Sequence, residues 1–137
     1  MGLNAKSKQD LLKAITDNWY WVLSTSKMID ANYLEKNFTE EELTEAGIYT
    51  RKEHTSNAKS FACGSATVKA YGSATVKAYG SATVEAYGSA TVEACDNSYV
   101  EDCTGNINAV FDHGIVKDYY NHKIYIKKGK FEIIEIE

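Results

Sequence analysis

The sequence lacks any run of the ~18 apolar residues needed to span a bilayer as a helix. Its first residues, Met1-Gly2-Leu3-Asn4-Ala5-Lys6, lack the apolar core of a secretory signal, and with Lys6 at the sixth position the Met-Gly start does not fit the myristoylation pattern. No membrane association and a cytoplasmic location are therefore expected. Basic charge is not in excess either. The 15 Lys and Arg stand against 19 Asp and Glu, and the net charge of −4 gives no attraction for phosphate, so no direct nucleic-acid ligand is expected. Cysteine is scarce and odd in number, which fits a reducing compartment better than a disulfide scaffold. Cys63, Cys95 and Cys103 form no CxxC pair, so neither zinc ligation nor redox catalysis is indicated. Gly-Ser pairs recur, yet none leads into the Gly-Lys-Ser or Gly-Lys-Thr of a phosphate loop. No metal and no cofactor are expected.

What the sequence does have is repetition. Gly64-Ser-Ala-Thr-Val68 recurs unchanged at Gly72–Val76, Gly80–Val84 and Gly88–Val92, a period of eight residues. Each unit offers six positions for a strand and a Gly-Ser pair for the bend. Alternation within the strand places Ala74, Val76 and Ala78 on one face and Thr75, Lys77 and Tyr79 on the other. A Lys or Glu in every repeat is too costly to bury unpaired, so the small apolar face is inside. The pattern has period two and a bend in every unit, which excludes a helical repeat and leaves a β-solenoid. Imperfect copies extend the frame from His54 to Tyr119. Two repeats per coil make a flat roll and three a triangular prism. Either brings opposite charges together, Lys69 beside Glu85 and Lys77 beside Glu93 in the first, Lys69, Glu93 and Lys117 in the second. The thin Ala/Val core favours two.

The predicted fold is mainly β: residues 1–53 a helical cap, 54–121 the solenoid and 122–137 a hairpin. Leu11, Leu12, Ile15, Trp19, Val22 and Leu23 fall at helical spacing between Ser7 and Leu23, with Ser7 as the cap. A weaker second helix covers Lys27 to Asn37. Thr39 with Glu42 makes a capping box, Phe38 and Leu43 occupy staple positions, and Gly47 ends this third helix. The helices are expected to cover the first coil and its open edge, with Trp19 and Trp21 packed on that coil. Strands at Lys123–Lys127 and Phe131–Ile136 flank Lys128-Gly129-Lys130, a hairpin that would close the far edge.

The array Gly72–Ala94, GSATVKAYGSATVEAYGSATVEA, resembles the octapeptide arrays of uncharacterised proteins from gut bacteria and their phages, in which a preceding helical segment and a Lys-Lys-Gly-Lys hairpin are also familiar. The likeness covers about half the chain. It implies the solenoid fold and a mobile-element setting, within which an inhibitor of a host defence or nucleic-acid enzyme is a natural form. It carries no catalytic residues, and the array lacks the Gly-Asp pattern of calcium-binding rolls.

Function is thus sought in a displayed surface. A ladder of Tyr71, Tyr79, Tyr87, Phe111 and Tyr119 suits a protein partner. Further candidates are Trp19, Trp21 and the acidic run Glu40, Glu41 and Glu42, whose first role is to complement a helix N-terminus. By the repeat frame the three cysteines take Tyr slots on the outer face. Self-assembly into a homo-oligomer, through the solenoid ends or the Trp19-Tyr20-Trp21 cluster, is the alternative. An enzyme would have to draw on Asp112, His113, Asp118 and His122, together with Cys103, but His113 sits where other repeats bend, and His54 stands alone.

Overall fold

The computed structural model describes residues 5–25, 29–106, 109–110, 113–128 and 130–135. Four short helices come first: α1 (Ala5–Asp17), α2 (Trp19–Thr25), α3 (Ala31–Asn37) and α4 (Glu40–Glu45). Strands follow to the end: β1 (Ile48–Tyr49), β2 (Glu53–Ser56), β3 (Lys59–Ala62), β4 (Thr67–Ala70), β5 (Thr75–Ala78), β6 (Thr83–Ala86), β7 (Thr91–Ala94), β8 (Tyr99–Asp102), β9 (Ala109–Val110), β10 (Ile115–Asp118), β11 (Lys123–Lys128) and β12 (Lys130–Glu135).

Successive repeats go alternately to two parallel sheets. One has the order β1-β3-β5-β7-β9, the other β12-β11-β10-β8-β6-β4-β2. Thr67 pairs with Thr83 and Thr75 with Thr91, so one coil takes sixteen residues, two octapeptides, and the roll makes about four turns. This is the flat roll favoured by the thin core. Val68, Val76, Val84, Val92, Val100, Val110 and Val116 line it with Ala70, Ala74, Ala78, Ala82 and Ala86, all essentially without solvent exposure. Each fully buried Val contributes roughly 1.5–3 kcal/mol of transfer free energy.

The bends show why the repeat keeps its glycine. Gly80 has φ 68°, and a Cβ there would lie 2.9 Å from the backbone N of Gly64, one coil below. Left-handed geometry and rung-to-rung packing both demand the bare backbone. One coil further on Asp96 takes the slot and itself adopts φ 56°, a conformation that Asp tolerates better than most residues.

Both ends of the core are plugged by inward aromatics. Tyr49 and His54 face inward on β1 and β2, stacked 4.1 Å apart, and His54 Nε2 lies 2.8 Å from the Arg51 carbonyl. At the other end Tyr125 of β11 pairs with Val116 and is buried against the core. The hairpin β11–β12 joins β10 in antiparallel register and so ends the parallel ladder of its sheet. Its turn residue Gly129 lies outside the described residues.

The helical segment departs from expectation in detail. Helix α1 already runs through Ser7, which is therefore not its cap, and the expected single helix breaks at Asn18. There the side-chain amide donates to the Ala14 carbonyl at 2.9 Å while the Asn18 N–H turns to Ile15, the local competition that Asn brings to helices. The second helix starts at Ala31, capped by Asp30 accepting from the Tyr33 N–H, and Met28 lies outside the described residues. Helix α4 carries the Thr39–Glu42 capping box in both directions, with Gly47 beyond it at φ 77°.

The cap also covers a different surface. Leu12, Ile15, Trp19, Val22, Leu34, Phe38 and Leu43 form a second core with Ile48, Phe61 and Cys63, and Tyr79 packs against it. Tyr20 reaches as far as Glu93 of β7, donating to its carbonyl at 3.3 Å. The helices therefore lie along the outer face of the five-stranded sheet, spanning several coils, instead of over the first coil alone. The reason is Phe61, which stands in register with Lys77 but gives that face an apolar anchor.

Candidate binding surface

The two sheets present different outer faces. On the five-stranded sheet Trp19 packs on Phe61, ring centroids 5.2 Å apart, and is 2% exposed. Cys63 and Cys95 are buried on this side. Their slots do point outward as the repeat frame requires, but helical side chains cover them. Burial pushes the Cys63 thiol up to about 12. Burial, and secondarily Cys95 and Glu93, push the Tyr20 hydroxyl well above its ordinary range. Trp21 does not pack on the roll: it is on the opposite side of α2 and 69% exposed.

On the seven-stranded sheet β2, β4, β6, β8 and β10 turn three outward columns to solvent. The first runs Glu53, Thr67, Thr83, Tyr99, Ile115 and the second Thr55, Lys69, Glu85, Glu101, Lys117. The third, just after each strand, holds Tyr71, Tyr87, Cys103 and Tyr119, spaced by one coil. Tyr71 and Tyr87 stack at 5.0 Å with their planes 13° apart. The tyrosine hydroxyls turn to the middle column: Tyr87 donates to Glu85 at 2.9 Å, while Tyr119 at 2.8 Å and Tyr99 at 3.4 Å both donate to Glu101. The bond to Glu85 raises the Tyr87 pKa, and burial followed by Glu101 pushes Tyr99 up to about 12. Lys69 pairs with Glu53 at 2.8 Å, and Lys117 lies 4.9 Å above the Tyr119 ring.

The ladder divides between the two sheets, as two repeats per coil require, with Tyr71 beside Tyr87. Tyr71, Tyr87 and Tyr119 share the open face, whereas Tyr79 is half-buried under the helices. Phe111 lies outside the described residues. Of the acidic run, Glu40 pairs with Lys52 at 3.1 Å, which lowers its pKa, Glu42 is occupied by the Thr39 N–H and Lys8, and Glu41 is exposed. Tyr99 and Ile115 also stand on the open face, in the frame's Thr slot, where the repeat itself gives no sign of an aromatic or aliphatic side chain. Tyr120, outside the repeat slots, is 70% exposed.

The residues considered for an enzyme are dispersed in role. Asp118 is fully buried, its carboxylate accepting from the backbone of Tyr120 and Asn121 and from the Asn121 side chain at 2.8–2.9 Å. Asp102, its register neighbour, is equally buried and accepts from the Thr104 N–H and hydroxyl. Both serve the bends that follow them. His113 and His122 are exposed, Cys103 is exposed with its thiol pKa raised by partial burial and the nearby carboxylates, and Asp112 lies outside the described residues. Among the described residues no group of three or more His, Cys, Asp or Glu could hold a metal ion, and no helix is long and apolar enough to cross a membrane. Comparison with protein-family models, with curated proteins and with solved structures finds no match for the chain.

Proposed function

We propose that the chain is a non-enzymatic macromolecule-binding protein that holds a protein partner on the open face of its seven-stranded sheet. The observation that supports this reading is the asymmetry of the roll. Helices cover one sheet, and the other displays aligned tyrosines on a rigid scaffold, with Tyr71 43% and Tyr119 42% exposed. Rigid aromatics lose little entropy on binding and dominate interface energetics. With the resemblance of the Gly72–Ala94 array to octapeptide proteins of gut bacteria and their phages, the specific form proposed is a phage- or mobile-element-encoded inhibitor of a host defence or nucleic-acid enzyme, acting in the cytoplasm.

Affinity purification from the native host should recover a stoichiometric protein, identifiable by mass spectrometry. Calorimetry with that purified partner should find binding weakened by ~2 kcal/mol or more in Tyr71→Ser/Tyr87→Ser, the scale of an aromatic hot spot. The melting temperature should stay within a few degrees of the parent, because neither ring belongs to the core. Failure to recover a partner, or a double variant that binds normally, would remove the reading.

A second reading, self-assembly, is favoured by the exposure of two large rings, Trp21 and Tyr120, the latter resting on Gly105 with its other face open. Sedimentation decides it: a concentration-dependent dimer lost on Trp21→Ser supports assembly, and a monomer at high concentration ends it.

A further inference from the structure

Two features of the open face point to the chemistry of what binds there. Glu85 and Glu101 stand directly beside one another in the parallel ladder, where strands are about 4.8 Å apart and like charges destabilise. Their side-chain hydrogen bonds come from tyrosine hydroxyls: Tyr87 to Glu85, Tyr99 and Tyr119 to Glu101. Among the described residues no Lys or Arg forms an ion pair with either. A hydroxyl occupies one lone pair and leaves the negative charge in place.

The second feature is the placing of lysines over aromatic rings. Lys59 lies 5.5 Å from the Phe61 centroid, Lys77 5.7 Å from Tyr20 and Lys117 4.9 Å from Tyr119. The Tyr71–Tyr87 stack has no such cation among the described residues, and the nearest lysine in its columns, Lys69, is held by Glu53. The face thus combines a stacked aromatic platform with two adjacent carboxylates that form no ion pair among the described residues, although Lys69 stands in register beside Glu85 and Lys117 beside Glu101: Lys69 turns to Glu53 and Lys117 to the Tyr119 ring.

We propose that this site takes a guanidinium group: an arginine side chain of the partner stacks on the free face of the Tyr71–Tyr87 pair and bridges Glu85 and Glu101. Arginine fits better than lysine, because a planar cation can stack on a ring and still present a fork of donors to carboxylates. The protein's net charge of −4 favours approach of a cationic surface. This deepens, and rests on, the reading of the open face as a binding surface.

The test is titration of the full chain, followed by NMR of the tyrosine rings, with three blocked octapeptides of alternating glycine and arginine, lysine or glutamine. The arginine peptide should shift Tyr71 and Tyr87, bind about fivefold or more tightly than the lysine peptide, and lose about fivefold or more on Glu85→Gln or Glu101→Gln. These variants keep size and shape, so folding is not at issue. The glutamine peptide should leave the rings unmoved. Arginine-peptide shifts confined to other residues, equal binding of all three peptides, or full binding by Glu85→Gln/Glu101→Gln would overturn the guanidinium assignment. Such results leave the wider reading standing, since that falls when no partner is recovered or when the purified partner ignores Tyr71→Ser/Tyr87→Ser.

Discussion

Val84→Asp should abolish the cooperative thermal transition seen by circular dichroism, leaving a chain unfolded at room temperature. Val84 is fully buried in β6, in register with Val68 and Val100, and its surroundings are Val and Ala methyl groups. A carboxyl there loses its water and finds no donor, since the neighbouring backbone N–H groups are spent on the ladders. The penalty of several kcal/mol rivals the whole stability of a domain, about 5–15 kcal/mol. The native Asp102 and Asp118 explain why the position matters. They too point inward, but from the last place in their strands, where the following bend supplies N–H and hydroxyl donors. Val84 lies too far from either bend for such rescue. A variant melting within about 5 °C of the parent would contradict this account of the core.

Trp19→Ala should release the helices from the roll. Truncating a buried Trp costs about 3–5 kcal/mol, and this one joins α2 to Phe61 and hence to the sheet. The array, whose core is separate, should keep its β signal. Thiol titration at a pH high enough to ionise Cys103, whose pKa is raised, gives the readout: in the parent Cys103 is accessible, whereas Cys63 and Cys95 are shielded. In Trp19→Ala all three should react within minutes while β ellipticity persists. Trp19→Phe should stay close to the parent, because the buried Nε1 has no hydrogen-bond partner among the described residues and only size is lost. If Cys63 and Cys95 remain protected in Trp19→Ala, the helices are held by something other than this contact.

The roll was legible in the sequence because its rules are local. Alternation inside a four-residue strand and a Gly-Ser bend every eighth residue determine which side chains point inward, and Val68, Val76, Val84 and Val92 are where that pattern puts them. The capping box of α4 is equally local. The seat of the helices was not legible in the same way, because it depends on which outward residues come together sixteen positions apart. The signal was nevertheless present: Phe61 in a Lys slot, with Cys63 and Cys95 in Tyr slots, places apolar side chains on the outer face of the five-stranded sheet. The break at Asn18 was invisible to periodicity, since Trp19 and Val22 continue the apolar spacing of Ile15 across it. At the open face, Tyr71 and Tyr87 followed from the frame. The pairing of Glu85 with Glu101 required the third coil, where the repeat has decayed and Glu101 follows Glu85 without a change of sign.

The sixteen-residue coil also gives the array a parity. Removing one octapeptide, such as residues 72–79, would send every later strand to the opposite sheet. Tyr87 would enter the place of Tyr79 beneath the helices, Cys95 would come out on the open face, and Asp118 with its bend would emerge on the wrong side for β11. Removing two octapeptides shortens the roll by one rung and leaves each column where it was. Length variation among such arrays should therefore be tolerated in steps of sixteen residues, even though the unit written in the sequence is eight.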